Sequence, residues 1–406
     1  MSDRPSVLIV TGYYDPFSGY QEVNLARSLA EFADVRVIAG DLVSPIFSDA
    51  TLEKLGSRRR YELSPCWDGN VEVVRVEYQK ISSLLIAPMV PRVLRSGRDE
   101  YDVVLVLAVG QIFSVPAAWI PRARHRATIF GDNRAQWSSL STRQFRMKER
   151  AFKYSKGLAY RAVAAQCDTV YVNTPNTSAR LKYVAPRSTT ELLPLSVDGD
   201  VFRPGEEDRS RTRREFNVPD GVPLIGVVGK ASPEKRLELV IDALQSIGSG
   251  SDWRLILAGL GDDYYGMGLR RRVAESELLK ERVTCLGFIE TDRMVSVLRA
   301  ADTCVWPVQP AITIQQAMAT GTRVLLPNND LVGHLVTDDS LGTLIVDGNY
   351  ESLVQGLELE LSKRPSESER TQRARRASRF TSRETALRIL KDAGLNPESC
   401  NSTTLK

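Results

Sequence analysis

Gly229-Lys230-Ala231-Ser232-Pro233-Glu234-Lys235-Arg236 is the stretch on which the reading of the chain turns. Before it runs Leu224-Ile225-Gly226-Val227-Val228, a short β-branched apolar run of the kind that makes a buried strand. After it, Leu237 to Leu244 carries apolar residues at helical spacing. The sequence therefore reads strand, glycine turn, helix. Such a turn holds Lys230 and Lys235 at the carboxyl end of a parallel strand, where open α/β sheets bind ligands. Ser232 is an N-cap residue type, and Pro233 suits the first helical position, where its missing N–H costs nothing. Two ammonium groups beside a helix N-terminus make an anion site. The competing reading, equally open on this stretch alone, leaves both lysines as solvated loop charges.

The chain of 406 residues is long enough for two domains. Its 42% hydrophobic and 26% charged residues are those of a water-soluble globular protein, and a net charge of +4 is too mild for a dedicated nucleic-acid binder. Cys66, Cys167, Cys285, Cys304 and Cys400 are scattered, with no pair at metal or redox spacing, which points to a reducing compartment. Met1 to Pro5 leads straight into strand-like Val7–Val10 and reads as no signal peptide, and no apolar run approaches the ~20 residues of a membrane span. A cytoplasmic protein is expected.

The first half alternates strands (Val7–Val10, Val35–Ala39, Val71–Val76, Val103–Ala108, Ala127–Phe130, Thr169–Val172) with helical patterns such as Glu22–Phe32, which argues for a parallel sheet covered on both faces. Gly19 lies in the loop after the first strand, without a dinucleotide fingerprint around it; it can serve a close ligand approach or a plain turn. Two segments stand apart. Residues 79–98 mix apolar residues with Lys80, Arg92, Arg95 and Arg98, and residues 143–161 carry seven basic residues against Glu149, interleaved with aromatics. Both suit peripheral contact with an anionic membrane, or an ordinary surface whose basic side chains lie over packed apolar ones. The proline, glycine and charge of Leu192 to Pro204 and of the run Glu206 to Glu215 mark an interdomain connection. The second half runs strand Arg254–Ala258, Gly259-Leu260-Gly261, strand Val283–Leu286, Gly287-Phe288-Ile289, Thr303 to Pro307, a helix from about Ile314 stopped by Gly321, and strands Val324–Leu326 and Thr343–Val346.

In this order, Gly229-Lys230 to Lys235, Leu257 to Gly261, Leu286-Gly287-Phe288, Ala301-Asp302 to Pro307 and Gln316 to Thr322 resemble the retaining GT-B glycosyltransferases, group 1, GT4-like. Val197 to Pro204 resembles their domain-joining segment, and Ser378 to Leu390 the helix that crosses back to the first domain. The resemblance implies two Rossmann-like doubly wound parallel-sheet domains facing a cleft. The expected domains are an acceptor-side domain over 1–205 with a returning helix at about 380–396, and a nucleotide-sugar domain over 206–378. It implies transfer of a sugar, with retention and without metal or cofactor, from a nucleoside-diphosphate sugar to an acceptor that is a sugar, a lipid-linked group or a small molecule. By position Lys230 and Lys235 would hold the diphosphate, Gly287, Phe288 and Ile289 would contact the base through backbone, and Gly19 and Gly229 would lie near the diphosphate.

The chain departs from the pattern in three places. Gln316 stands where the family has the second of two glutamates, usually on the ribose, and the first has no counterpart, because the loop Pro307–Thr313 is about three residues short. Gln316 can bond a hydroxyl, or close a capping box with Thr313 as N-cap, leaving backbone N–H groups of Ala311 to Ile314 for sugar or phosphate. The family's first-domain histidine is missing; Asp132 is taken as its substitute, with Asn133 and Arg134 toward the acceptor, against the plainer reading of a Gly-Asp-Asn turn. Ser18-Gly19 replaces a double glycine. These losses leave open a non-catalytic GT-B protein that binds a nucleotide or glycan beside an active enzyme. An epimerase on the same fold would want acid–base groups in its site.

Overall fold

The computed structural model describes residues 4–17, 21–43, 52–53, 56–77, 79–81, 84–86, 101–107, 123–131 and 141–396. The chain divides into two compact units, Met1–Ser196 with Ser382–Lys406, and Val197–Thr381.

The first unit is built on β1 (Ser6–Val10), β2 (Asp34–Gly40), β3 (Cys66–Asp68), β4 (Val71–Val76), β7 (Tyr101–Val106), β8 (Ala123–Phe130), β9 (Thr169–Val172) and β10 (Glu191–Leu192), in the order β10-β9-β8-β7-β1-β2-β4-β3. All pairings are parallel except β3 with β4. The apolar run of β1 feeds two cores. Val7 and Ile9 face Leu25 and Leu29 of the helix Gln21–Leu29, with Ile389 and Leu390 of the helix Ser382–Asp392. Leu8 and Val10 face Tyr160, Val163 and Leu181 on the other side. Burial on both faces is why such strands read as continuous rather than alternating apolar runs. Each fully buried Leu or Ile contributes roughly 1.5–3 kcal/mol, so Ile389 and Leu390 fasten the last helix to this unit. Tyr171 adds a hydrogen bond from its hydroxyl to Asp392 at 2.6 Å. The backbone of β5 (Gln79–Ile81) and β6 (Leu84–Ile86) forms an antiparallel ribbon; the rest of 79–98 lies outside the described residues.

The second unit holds β11 (Leu224–Val228), β12 (Arg254–Ala258), β13 (Val283–Leu286), β14 (Thr303–Val305), β15 (Arg323–Pro327) and β16 (Gly342–Ile345), all parallel, in the order β13-β12-β11-β14-β15-β16. This is a doubly wound sheet whose order reverses between β11 and β14. Leu224 and Val228 face one core, Ile225 and Val227 the other. Between them Gly226 lets the sheet close: a Cβ there would stand 2.7 Å from the Cys304 sulfur.

Two stretches that read as connectors belong to this unit. Val197 donates its N–H to the Phe380 carbonyl at 2.9 Å and Phe202 is buried in the unit's core, so residues 197–205 group here. The charged run is a helix, Glu206–Glu215, because two of its arginines have a buried partner: Arg209 and Arg213 bond Asp302 at 2.6 and 3.1 Å. The two guanidiniums and the Leu224 N–H hold the Asp302 carboxyl below its ordinary range although burial alone would raise it.

Candidate functional site

The glycine turn leaves the carboxyl end of β11 at the reversal point, where open sheets of this kind place their ligands. Gly229 has φ +128°, in the region that favours glycine. A Cβ on it would lie 3.6 Å from the Lys235 Nζ and 3.4 Å from the Thr313 Oγ1. The ammonium of Lys235 is therefore folded back over the strand end. Its side chain is half-buried, and burial foremost, with Glu234 opposing and Lys230 adding, lowers its pKa. Lys230 is exposed. Neither lysine forms an ion pair with a described residue; Glu234 is exposed, its carboxyl held low chiefly by the Ser232 hydroxyl.

The turn differs from its sequence reading in one respect. Pro233–Lys235 is a single 3-10 turn that ends at Arg236 in the left-handed region (φ +50°), and the α-helix begins only at Glu238. The Ser232 side chain makes no cap bond. The Leu237 N–H, at the start of that helix, is taken by the Tyr265 hydroxyl at 2.8 Å. The cations are thus held by the turn itself and not by the helix terminus.

Across the reversal point, β14 leads into the short helix Thr313–Ala319. The capping-box reading of Thr313 and Gln316 is overturned. The Thr313 hydroxyl donates to the Val228 carbonyl at 2.9 Å, and the N-cap position is Ile312, without a side-chain bond. The Trp306 indole donates to the same carbonyl at 3.3 Å, so two residues of the second strand's loop fasten the end of the first. Gln316, only 8% exposed, and its neighbour Gln315 each keep a side-chain oxygen without a partner among the described residues. The Ile314 N–H is committed to the Ala311 carbonyl at 3.1 Å, and its side chain lies in the core. Gly321 (φ +78°) ends the helix as expected, with Gly321 and Thr322 donating back to Met318 and Ala317 in a Schellman arrangement.

Gly287, Phe288 and Ile289 follow β13, two strands from β11 and hence roughly 10 Å away along the sheet edge. The Gly287 carbonyl accepts from the Gly259 N–H at 3.0 Å; Phe288 is exposed, and Ile289 packs on the core. Between these loops sits Gly259, whose part the sequence did not disclose. It has φ +104°, and a Cβ there would stand 2.3 Å from the Gly229 carbonyl oxygen. The Gly229–Lys230 peptide can lie where it does only because Gly259 has no side chain. Arg270 fixes the neighbouring Leu260 and Gly261 carbonyls, at 2.8 Å each.

In the first unit, Gly19, Asp132, Asn133 and Arg134 lie outside the described residues. The structure does show how the loop after β1 is anchored, at that sheet's own reversal point between β1 and β7. Asp15, 4% exposed, accepts from Tyr61 at 2.8 Å, Ser57 at 2.9 Å and the Phe17 N–H at 3.3 Å. Tyr14 donates to Asp68 at 2.7 Å, and Arg27 grips the same carboxylate and the Pro16 carbonyl. Apart from the Phe17 N–H, the partners of Asp15 and Tyr14 are distant in sequence, so no local signal could have found them. Burial, opposed by a backbone hydrogen bond and reinforced by Asp15, pushes Glu22 up to about 7.

Residues 208–377, nearly the whole second unit, match the family model described as glycosyl transferases group 1. The chain is similar to D-inositol 3-phosphate glycosyltransferase of Nocardia farcinica, 28% identical over 201 residues, covering 47% of this chain and 44% of that one. It spans about half the length of the curated relatives it matches. Two solved structures share the fold over nearly all of the chain. Sucrose-phosphate synthase of Thermosynechococcus elongatus has a TM-score of 0.65 at 17% identity, covering 96% of this chain and 98% of that one. Anabaena HepE, in complex with UDP, has a TM-score of 0.66 at 18% identity, covering 96% and 99%. The fold is GT-B: two Rossmann-like units, each on a doubly wound sheet, parallel throughout in the second and parallel but for the edge strand β3 in the first.

Proposed function

We propose that the protein transfers a glycosyl group from a nucleoside-diphosphate sugar to an acceptor hydroxyl, with retention and without a metal, as a GT4-like enzyme. The observation that carries the reading is the turn at the β11–β14 reversal point, where Lys235 is folded over Gly229 and Lys230 stands beside it, neither in an ion pair with a described residue. Supporting it, the turn falls within the segment that matches glycosyl transferases group 1, and a neighbour of the same fold was solved with UDP.

In the reaction the bond between the sugar's anomeric carbon and the diphosphate oxygen breaks, and negative charge gathers on that oxygen. Two fixed ammonium groups stabilise this charge more in the transition state than in the ground state, which lowers the barrier. The acceptor oxygen bonds the anomeric carbon on the face the diphosphate leaves, and its proton passes to the departing phosphate oxygen. Thr313, bonded to the Val228 carbonyl, positions the floor of the turn, and Gln316 supplies an amide for a donor hydroxyl. The loop Gly287–Ile289 receives the base, Gly19 serves the donor's diphosphate and sugar, Asp132 stands in for the family's histidine, Asn133 and Arg134 serve the acceptor, and the protein works in the cytoplasm with peripheral membrane contact.

Incubation with UDP-, GDP- and ADP-sugars tests this. Nucleotide release that disappears in Lys235→Ala, and falls in Lys230→Ala, is expected. Undiminished release in the double variant would remove the lysines from the mechanism. Tight binding with no turnover of any donor, acceptors present, would make the chain a binding protein instead.

A further inference from the structure

We infer that the first unit docks on an anionic lipid surface through the outward face of the helices Thr142–Lys153 and Lys156–Ala164. The inference rests on the peripheral contact proposed above and narrows it to one face. Although the sequence suggests one basic segment, the chain turns a corner at Tyr154-Ser155. Gly157 makes the corner tight: a Cβ there would lie 2.8 Å from the Phe152 carbonyl and 2.9 Å from Val184.

The decisive feature is where the only acid of this stretch goes. Glu149 is buried, turned inward 3.9 Å from the Nε of buried Arg180, whose guanidinium lies 3.8 Å over the Phe152 ring. Phe145, Glu149 and Phe152, at four- and three-residue spacing, form the inner face. With Glu149 removed from the surface, every exposed charge from 141 to 164 is positive: Arg143, Arg146, Lys148, Arg150, Lys156 and Arg161. Ordinary solvated helices intersperse both signs. Among these cations stand large apolar side chains that the described residues leave exposed: Tyr154 at the corner is 73% exposed, Met147 63% and Leu158 57%. A surface that is cationic and carries protruding apolar and aromatic groups complements a membrane interface with anionic headgroups, where the cations meet phosphate and the apolar groups enter the acyl boundary. No helix of the described residues is long and apolar enough to cross a membrane, so the contact is one of lying on it.

The test is co-sedimentation of the full chain with vesicles of phosphatidylcholine alone, or mixed with phosphatidylglycerol, at low and high salt. Expected is binding to the mixed vesicles only, weakening with salt. Each basic residue at such a surface contributes roughly fivefold in partition, so Arg146→Gln with Lys148→Gln and Arg150→Gln should lower it roughly a hundredfold. Tyr154→Ser with Leu158→Ser should remove the binding that survives high salt. Unchanged thermal unfolding of both variants confirms that surface, not fold, was altered. Equal partition onto both vesicle types, an undiminished triple variant, or tighter binding to a DNA duplex than to the mixed vesicles overturns the inference. The readout needs no sugar nucleotide, so a protein that docks without transferring and one that transfers without docking are told apart.

Discussion

Replacing Lys235 by methionine separates what the turn does for a ligand from what it costs the fold. Methionine keeps the unbranched apolar stem and removes the charge. Lys235 is held below its ordinary pKa by burial first, then by the balance between Glu234, which opposes the shift, and Lys230, which adds to it. A base with a lower pKa folded than unfolded binds its proton less well in the native state. At a pH below both values the charged form therefore costs stability, and that cost fades as pH rises through the folded value. Lys235→Met should consequently unfold at the same temperature as the wild type at pH 7, or at a higher one. Binding should move the other way. A hydrogen bond to a charged group is worth about 1.5–3 kcal/mol, which corresponds to roughly 10- to 150-fold in Kd for a nucleoside diphosphate. Loss of the same group at the departing oxygen should raise the barrier to transfer by about 3 kcal/mol. Calorimetric titration with UDP, GDP and ADP, beside thermal unfolding without ligand, reads both quantities. Lys280→Met, at an exposed lysine paired with Glu277, is the control and should change neither. Wild-type affinity in Lys235→Met would refute the reasoning and return the turn to a solvated loop. A lower unfolding temperature with weaker binding would show that Lys235 is structural.

Gly259→Ala should destabilise the second unit by roughly 2–5 kcal/mol in denaturant titration, since φ +104° and a Cβ 2.3 Å from the Gly229 oxygen cannot both be accommodated. It should also weaken diphosphate binding although it touches no ligand; near-wild-type stability would mean the lysine turn yields freely. Glu360 accepts from Arg323 at 2.8 Å, Thr303 at 2.7 Å and Thr343 at 2.6 Å, and these bonds outweigh burial to bring its carboxyl from 4.5 down to about 2. Its folded pKa being depressed, its stabilisation of about 3 kcal/mol is present above about pH 4.5 and lost as pH falls toward 2; Glu360→Gln should forfeit it at pH 7 and flatten that acid limb in fluorescence-detected unfolding. Thr313→Val deletes the bond to the Val228 carbonyl and should cost about 1 kcal/mol, with diphosphate affinity reduced; unchanged affinity would remove Thr313 from the site.

The strands were legible because burial on both faces writes an uninterrupted apolar run, as at Leu224–Val228, and because glycine at a left-handed position, as at Gly229 and Gly321, has few substitutes. Two strands that were not legible lack that burial. β3, an edge strand with Cys66 and Trp67 exposed, carries no apolar signal, and β10 is two exposed residues long. The site failed differently. Thr313 and Gln316 satisfy the local pattern of a capping box, yet the Thr313 hydroxyl goes to Val228, 85 residues earlier. That buried strand-end carbonyl, which also takes the Trp306 indole, is the acceptor the hydroxyl meets across the sheet end, so the tertiary partner prevails over the local helix N–H. The same holds for Asp15, whose partners Ser57 and Tyr61 lie 42 and 46 residues on, and for Gly259, visible as a glycine but not as the gap into which Gly229 fits. In each case the determining fact is which strand lies beside which. β11 pairs with β14 rather than with β13, and that choice, made by the winding of the sheet, sets the lysine turn opposite Thr313 and creates a site from loops that local sequence reads one at a time.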